Sequence, residues 1–179
     1  MINKICIHHT GDSRKNHPYQ FLIVDNYHKQ KWDMRSSLGF YGGYNYLIEP
    51  TGYCMQYRKE GEETAAVIGY NKDSIHICMA GDFNVEMPTT GQIETLKKML
   101  FEKMKTYFLT IKDIYYHRDL QENRNCPGDL IGKDWIKNLL EPAILPPEDK
   151  EKVDNLIIQK MTIIQQILAL IQRLKELLS

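Results

Sequence analysis

Three side chains offer this chain its clearest route to chemistry: His8, His117 and, nine residues beyond it, Cys126. Two imidazoles and one thiolate suit zinc. A trio leaves the fourth position of the metal to water, which marks a catalytic rather than a closed structural site. The chain holds six histidines and four cysteines, so many such triples exist, and spacing alone also allows these to be scattered, unrelated residues.

The elements around them are legible from pattern. Lys4-Ile5-Cys6-Ile7-His8-His9 is short, apolar and β-branched, a buried strand that delivers His8 at its end. Residues 18 to 32 read as a helix with Pro18 near its start. Residues 44 to 48 and 53 to 57 read as the arms of a hairpin about Pro50-Thr51-Gly52. Residues 73 to 81 give a further strand with Ile75, Ile77 and Met79 alternating. Thr89 and Gln92 have capping-box spacing and open a helix through Leu109, its apolar side marked by Ile93, Leu96, Leu100, Met104 and Phe108. Residues 111 to 116 predict the last strand, with His117 at its end, and residues 129 to 140 a closing helix. Strands alternating with helices predict an α/β fold, a mixed central sheet flanked by helices.

The composition then changes. Residues 141 to 147 hold three of the seven prolines and read as a stiff linker. Residues 148 to 179 contain no Gly or Pro and predict one long amphipathic helix. Its acidic start (Glu148, Asp149, Glu151) and basic end (Arg173, Lys175) match the helix dipole. Ile157, Ile164, Ile171 and Leu178 recur every seven residues, and flanking Met161, Ile163, Leu168, Leu170 and Leu177 widen the stripe beyond a two-row seam. Such a face must be covered. Self-association into a homo-oligomer is the leading expectation; docking on the preceding domain or lying on a membrane surface are the alternatives.

The 179 residues balance 23 Lys+Arg against 23 Asp+Glu, which argues against a nucleic-acid partner. No run of about 18 uncharged apolar residues predicts a transmembrane helix. Met1 to Ile5 lack the apolar core of a signal peptide, and four cysteines without a CxxC pair suggest reduced thiols, so synthesis in the cytoplasm is expected. Cys6 and Cys78 read as small buried hydrophobes. His76 reads as a packed or surface residue, and His17 and His28 as solvated. Trp32, Tyr41, Tyr46 and Tyr57 fit either sugar stacking or core.

Four motifs in order over residues 3 to 140 resemble the zinc-dependent N-acetylmuramoyl-L-alanine amidases, the family of phage endolysin amidases and peptidoglycan recognition proteins. They are Ile5-Cys6-Ile7-His8-His9-Thr10, Gly43-Tyr44-Asn45-Tyr46-Leu47-Ile48, Gly69-Tyr70-Asn71-Lys72-Asp73-Ser74-Ile75, and His117-Arg118-Asp119 with Asn125-Cys126-Pro127-Gly128. The resemblance implies a catalytic domain at residues 1 to 140 and zinc held by His8, His117 and Cys126, with His9 a non-ligating neighbour. Tyr44 falls where the family keeps a tyrosine that assists the chemistry. Arg124 stands where relatives carry a Lys or Thr at the oxyanion, and Ala66 where some carry a cleft histidine. The implied activity is hydrolysis of bacterial peptidoglycan between N-acetylmuramic acid and L-alanine, acting on the cell wall, as in a phage or prophage endolysin. Two alternatives stand beside it. One is a non-catalytic peptidoglycan-binding module that signals or assembles through the C-terminal helix. The other is a hydrolase with Cys126 as nucleophile and His117 as base, which leaves Tyr44 and the second histidine without a task.

Overall fold

The hexapeptide Lys4–His9 forms strand β1, and its burial on both faces explains why it alternates so little. In this computed structural model the described residues are 1–140 together with 159, 160, 163, 167 and 171. The other elements are α1 (Phe21–Trp32), β2 (Tyr46–Ile48), β3 (Cys54–Gln56), β4 (Ser74–Met79), α2 (Thr90–Tyr107), β5 (Ile114–Tyr116), α3 (His117–Leu120) and α4 (Trp135–Leu140). They make a mixed five-stranded sheet, ordered β3-β2-β4-β1-β5, in which only the β2–β3 pair is antiparallel. The expected mixed sheet with flanking helices is therefore present.

Register decides what faces the site. Cys6 pairs with His76 and His8 with Cys78, and because side chains alternate, all four lie on one face of the sheet. That face also carries a cluster of Phe21, Leu47, Tyr57, Cys78 and Ala80, with Tyr44, Phe40, Val24 and Met55 packed against it. Helix α1 starts where the Glu49 carboxylate accepts the Gln20 and Phe21 N–H groups at 2.9 and 2.7 Å. A β2-end carboxylate thus does the work of an N-cap.

Helix α2 opens on the expected capping box, with Thr89 and Gln92 satisfying each other's backbone donors. The buried Gln92 amide also donates to the Ile48 and Ala80 carbonyls, tying the helix start to the ends of β2 and β4. Leu96 and Leu100 of this helix are fully buried. Phe108 is not part of its apolar side: it is the left-handed C-cap and 94% exposed.

Several boundaries differ from expectation: α1 begins at Phe21 rather than at residue 18, the hairpin arms shorten to β2 and β3, and two further differences lie around β5 and α4. Ile111–Asp113 is a 3-10 turn because Asp113 accepts the Thr110 N–H and hydroxyl at 2.7 and 2.8 Å, delaying β5 to Ile114. Residues 129–134 are not helical, and α4 begins only at Trp135. The chain divides into two compact units, Met1–Asn138 and Leu139–Ser179. The expected linker at 141–147 lies outside the described residues, as does most of the 148–179 helix. Of that segment, Ile163, Ile167 and Ile171 are helical and exposed. No helix among the described residues is long and apolar enough to cross a membrane.

Candidate metal centre

His8 sits near the end of β1, fully buried, beneath an open cleft of about 870 Å³ whose lining includes Tyr44, His117 and Cys126. Next to it in the sheet, β5 ends at Tyr116, so His117 emerges one strand away, at the first position of α3. The Asp119 carboxylate accepts the Tyr116 N–H at 2.8 Å and closes that short helix. Cys126 returns to the same place on a loop, where the His9 N–H donates to its sulfur at 3.4 Å.

That loop is held by local ties from Arg118 and by ties to the segment around Phe83 and Asn84. The Arg118 N–H donates to the Cys126 carbonyl, and the Arg118 guanidinium to the carbonyls of Gly128 and Ile131. Asn125 Nδ2 donates to Asn84 Oδ1 at 2.7 Å, and Leu130 N–H to the Phe83 carbonyl. Gly128 has φ +106°, and a Cβ there would run into the Phe83 backbone. Only glycine allows this approach. The Cys126–Pro127 peptide is cis.

The result is that one donor atom each from His8, His117 and Cys126 lie within 4.8 Å of one another. His8 Nδ1 stands 3.7 Å from Cys126 Sγ. The His117 ring directs Nε2 to Gln121 Oε1 at 3.0 Å, so Nε2 carries the proton and Nδ1 is left with a lone pair. Burial, reinforced by the neighbouring histidines, pulls His8 well below the usual histidine range, and burial lowers His117 as well. Both rings are therefore neutral at pH 7. Burial pushes the Cys126 thiol up to about 12, against the pull of the His9 N–H, Arg118 and Arg124. A thiol so placed becomes a strong donor only beside a cation, and two neutral imidazoles with a sulfur form a donor set that fits zinc.

Tyr44 lines the same cleft, its ring 5.0 Å from that of His8. Its loop is set by α1: Asp25 accepts the Tyr41 and Gly42 N–H groups, and His28 Nδ1 accepts the Gly43 N–H at 2.8 Å. On the other side the fully buried Arg58 donates to the Gly42 carbonyl at 2.7 Å. Burial raises the Tyr44 phenol well above 10, so it stays a hydrogen-bond donor. Arg124 is exposed and lines the cleft, as does Ala66.

The structure places four of the five expected site residues, Tyr44, His117, Arg124 and Cys126, on one cleft with His8 buried against Tyr44 and Cys126, and it corrects one reading beside them. His28 is not solvated: it is buried between Tyr44, Trp32 and the Gly43 N–H. His17 does stand half-exposed, against Asp12. Cys6 and Cys78 are fully buried, as expected. Of the ambiguous aromatics, Tyr57 is core, whereas Trp32 is exposed on the cleft wall. Sequence reasoning missed Gln121 and the environment of His76. The spacing of Gln121, four residues after His117 at a helix start, was the available signal.

The family described as N-acetylmuramoyl-L-alanine amidase matches residues 1–129. An uncharacterized protein of Haemophilus influenzae is 31% identical over 104 residues, which cover 55% of this chain and 88% of that protein. Among solved structures, N-acetylmuramoyl-L-alanine amidase LysC from Clostridium intestinale URNW is similar at 29% identity and TM-score 0.64. That likeness covers 79% of this chain and 87% of LysC. The ectodomain complex of peptidoglycan recognition proteins LCa and LCx, bound to tracheal cytotoxin, is similar at 29% identity and TM-score 0.59, over 72% and 77% of the two chains.

Proposed function

We propose, from the premise that this chain belongs to the N-acetylmuramoyl-L-alanine amidase family, that it hydrolyses peptidoglycan with the help of zinc. The bond cut is the amide between N-acetylmuramic acid and the L-alanine of the stem peptide. The supporting observation is the meeting of His8, His117 and Cys126 donor atoms at the base of the cleft that His117 and Cys126 line, with Tyr44 beside them.

His8 Nδ1, His117 Nδ1 and Cys126 Sγ are the atoms that would hold the metal. Zinc in that place lowers the pKa of a water towards about 7 and polarises a carbonyl. The chain's own groups do the rest. Tyr44, kept protonated by burial, donates to the amide oxygen as charge develops on it, an effect worth most in a water-poor floor. The departing L-alanine nitrogen would take up the proton that the attacking water gives up on adding to the carbonyl. Arg124, exposed on the cleft, supplies a cationic donor toward the same oxygen. Trp32 offers a face for a sugar ring.

The likeness to peptidoglycan recognition proteins bound to tracheal cytotoxin favours a second reading, a peptidoglycan-binding module without turnover. Mass spectrometry of purified peptidoglycan digested by the zinc-loaded chain separates the two. The hydrolase releases stem peptides beginning at L-alanine and stops with His117→Ala or a chelator. Intact muropeptides from a folded, zinc-retaining protein establish the binding module instead.

An endolysin of phage or prophage origin is the biological setting that fits this activity. Residues 148–179 are proposed to self-associate, so that several catalytic domains share one stretch of wall. Light scattering of the chain with and without residues 146–179 tests this, and a monomer in both cases rejects it.

A further inference from the structure

His76 occupies the middle of β4, fully buried, with its side chain on the same sheet face as His8. Its Nε2 lies 3.2 Å from the Tyr70 carbonyl oxygen, and its Nδ1 lies 3.0 Å from His8 Nε2. A carbonyl can only accept, so the His76 proton is on Nε2 and the lone pair on Nδ1. His8 must then donate from Nε2. A neutral imidazole has one proton, and His8 Nδ1 is consequently bare where it faces Cys126 Sγ at 3.7 Å.

We infer that His76 is a positioning residue for the metal centre, fixing His8 in the tautomer that turns a lone pair on Nδ1 toward Cys126. The role presupposes that His8, His117 and Cys126 hold a metal. Tyr70, His76 and His8 form a relay in one direction, each partner accepting from the next, and the ladder of β1 on β4 holds the two rings in register. Without it the His8 ring is free to carry its proton on Nδ1, where it blocks the metal. Partners of this kind are worth about 10- to 100-fold in metal affinity. Cys6 belongs to the same face, and Cys6, His8 and His76 could themselves be read as a second ligand trio. The hydrogen bond between the two rings already uses the nitrogen such a trio would need.

The test uses the full chain, with zinc affinity measured by competition against a chromophoric chelator. Two variants are compared with wild type: His76→Leu, of similar size without an acceptor, and His76→Asn, whose amide oxygen can take the place of Nδ1. Imidazole nitrogen NMR of the wild-type chain before zinc addition reads the tautomers directly, whether or not the variants fold. The expected results are one zinc per chain, binding weakened by about 10- to 100-fold in His76→Leu, recovery in His76→Asn, and protons on Nε2 of both His8 and His76. Wild-type affinity in His76→Leu overturns the inference, and so does a proton on His8 Nδ1. Equal weakening in both variants in step with their loss of thermal stability assigns His76 to packing alone. Two zinc ions per chain favour the buried trio instead. A wild-type chain that binds no zinc overturns the metal reading itself, and that outcome is seen before any variant is made.

Discussion

The cleft is built from two regions that hold their residues by different means. The floor, β1 beside β4, carries His8 on a strand paired on both sides, fully buried, with His76 behind it. The arm, residues 117–128, carries His117 and Cys126 on a short helix and a largely exposed loop. Arg118 ties it to itself through the Gly128 carbonyl, and Asn125 and Gly128 fasten it to Asn84 and the Phe83 backbone, far away in sequence. A floor residue is therefore part of the core, and its loss is felt by the whole fold. An arm residue is separable, and the site can be spoiled while the sheet stays intact.

Removing a donor on each side gives the largest effects and the sharpest contrast. Both His8→Ala and Cys126→Ser are expected to lower hydrolysis by at least about a thousandfold. His8→Ala also leaves a cavity and a buried His76 Nδ1 without its donor, costing roughly 2–4 kcal/mol by denaturant unfolding. Cys126→Ser is expected to unfold at nearly the wild-type denaturant concentration. Equal destabilisation by the two would break the distinction between floor and arm.

Acid should weaken the wall of the cleft next. Burial lowers His28 to about 4 from 6.5. Above pH 6.5 the ring is neutral in both folded and unfolded chains and no stability depends on it. As pH falls from 6.5 to about 4, only the unfolded chain takes up the proton, so stability drops; below that both are protonated and the loss stops. The full drop for this group is about 3 kcal/mol. Thermal unfolding across that range should show a shallower slope in His28→Gln than in wild type.

On the arm, Gly128→Ala forces a side chain into the Phe83 backbone at a positive φ and is expected to cost about 1–3 kcal/mol. Zinc affinity should fall with it, since Cys126 lies two residues before. The smallest effect belongs to Asn84→Ala, which removes the acceptor for Asn125 and for the Asp129 N–H. A loss of about 1 kcal/mol and a several-fold fall in zinc affinity, measured by chelator competition, would show that the loop is tuned from outside itself.

Local chemistry made much of this legible. Lys4–His9 reads as a strand because its apolar run Ile5-Cys6-Ile7 is short and carries two β-branched residues, and the Thr89–Gln92 box marks the start of α2 because both partners lie within one turn. The motifs around His8, Tyr44 and His117 named the residues that the fold brings together. The misreadings fell where a remote group intervened. Nothing local told that His28 would be enclosed by Tyr44 and the Gly43 N–H, or that Asp113 would turn back on Thr110 and shorten β5.

What the sequence determined by itself is the set of elements and the types of donor each one carries, since both follow from side-chain periodicity and from turn and cap chemistry within a few residues. What only the tertiary structure decided is which nitrogen each histidine offers and how a cysteine 118 positions from His8 comes to stand beside it. Those depend on β1 lying between β4 and β5, on the register that sets His76 behind His8, and on an arm tied to Asn84 and Phe83. Hydrogen bonds between distant residues choose among alternatives that local sequence leaves equal in energy.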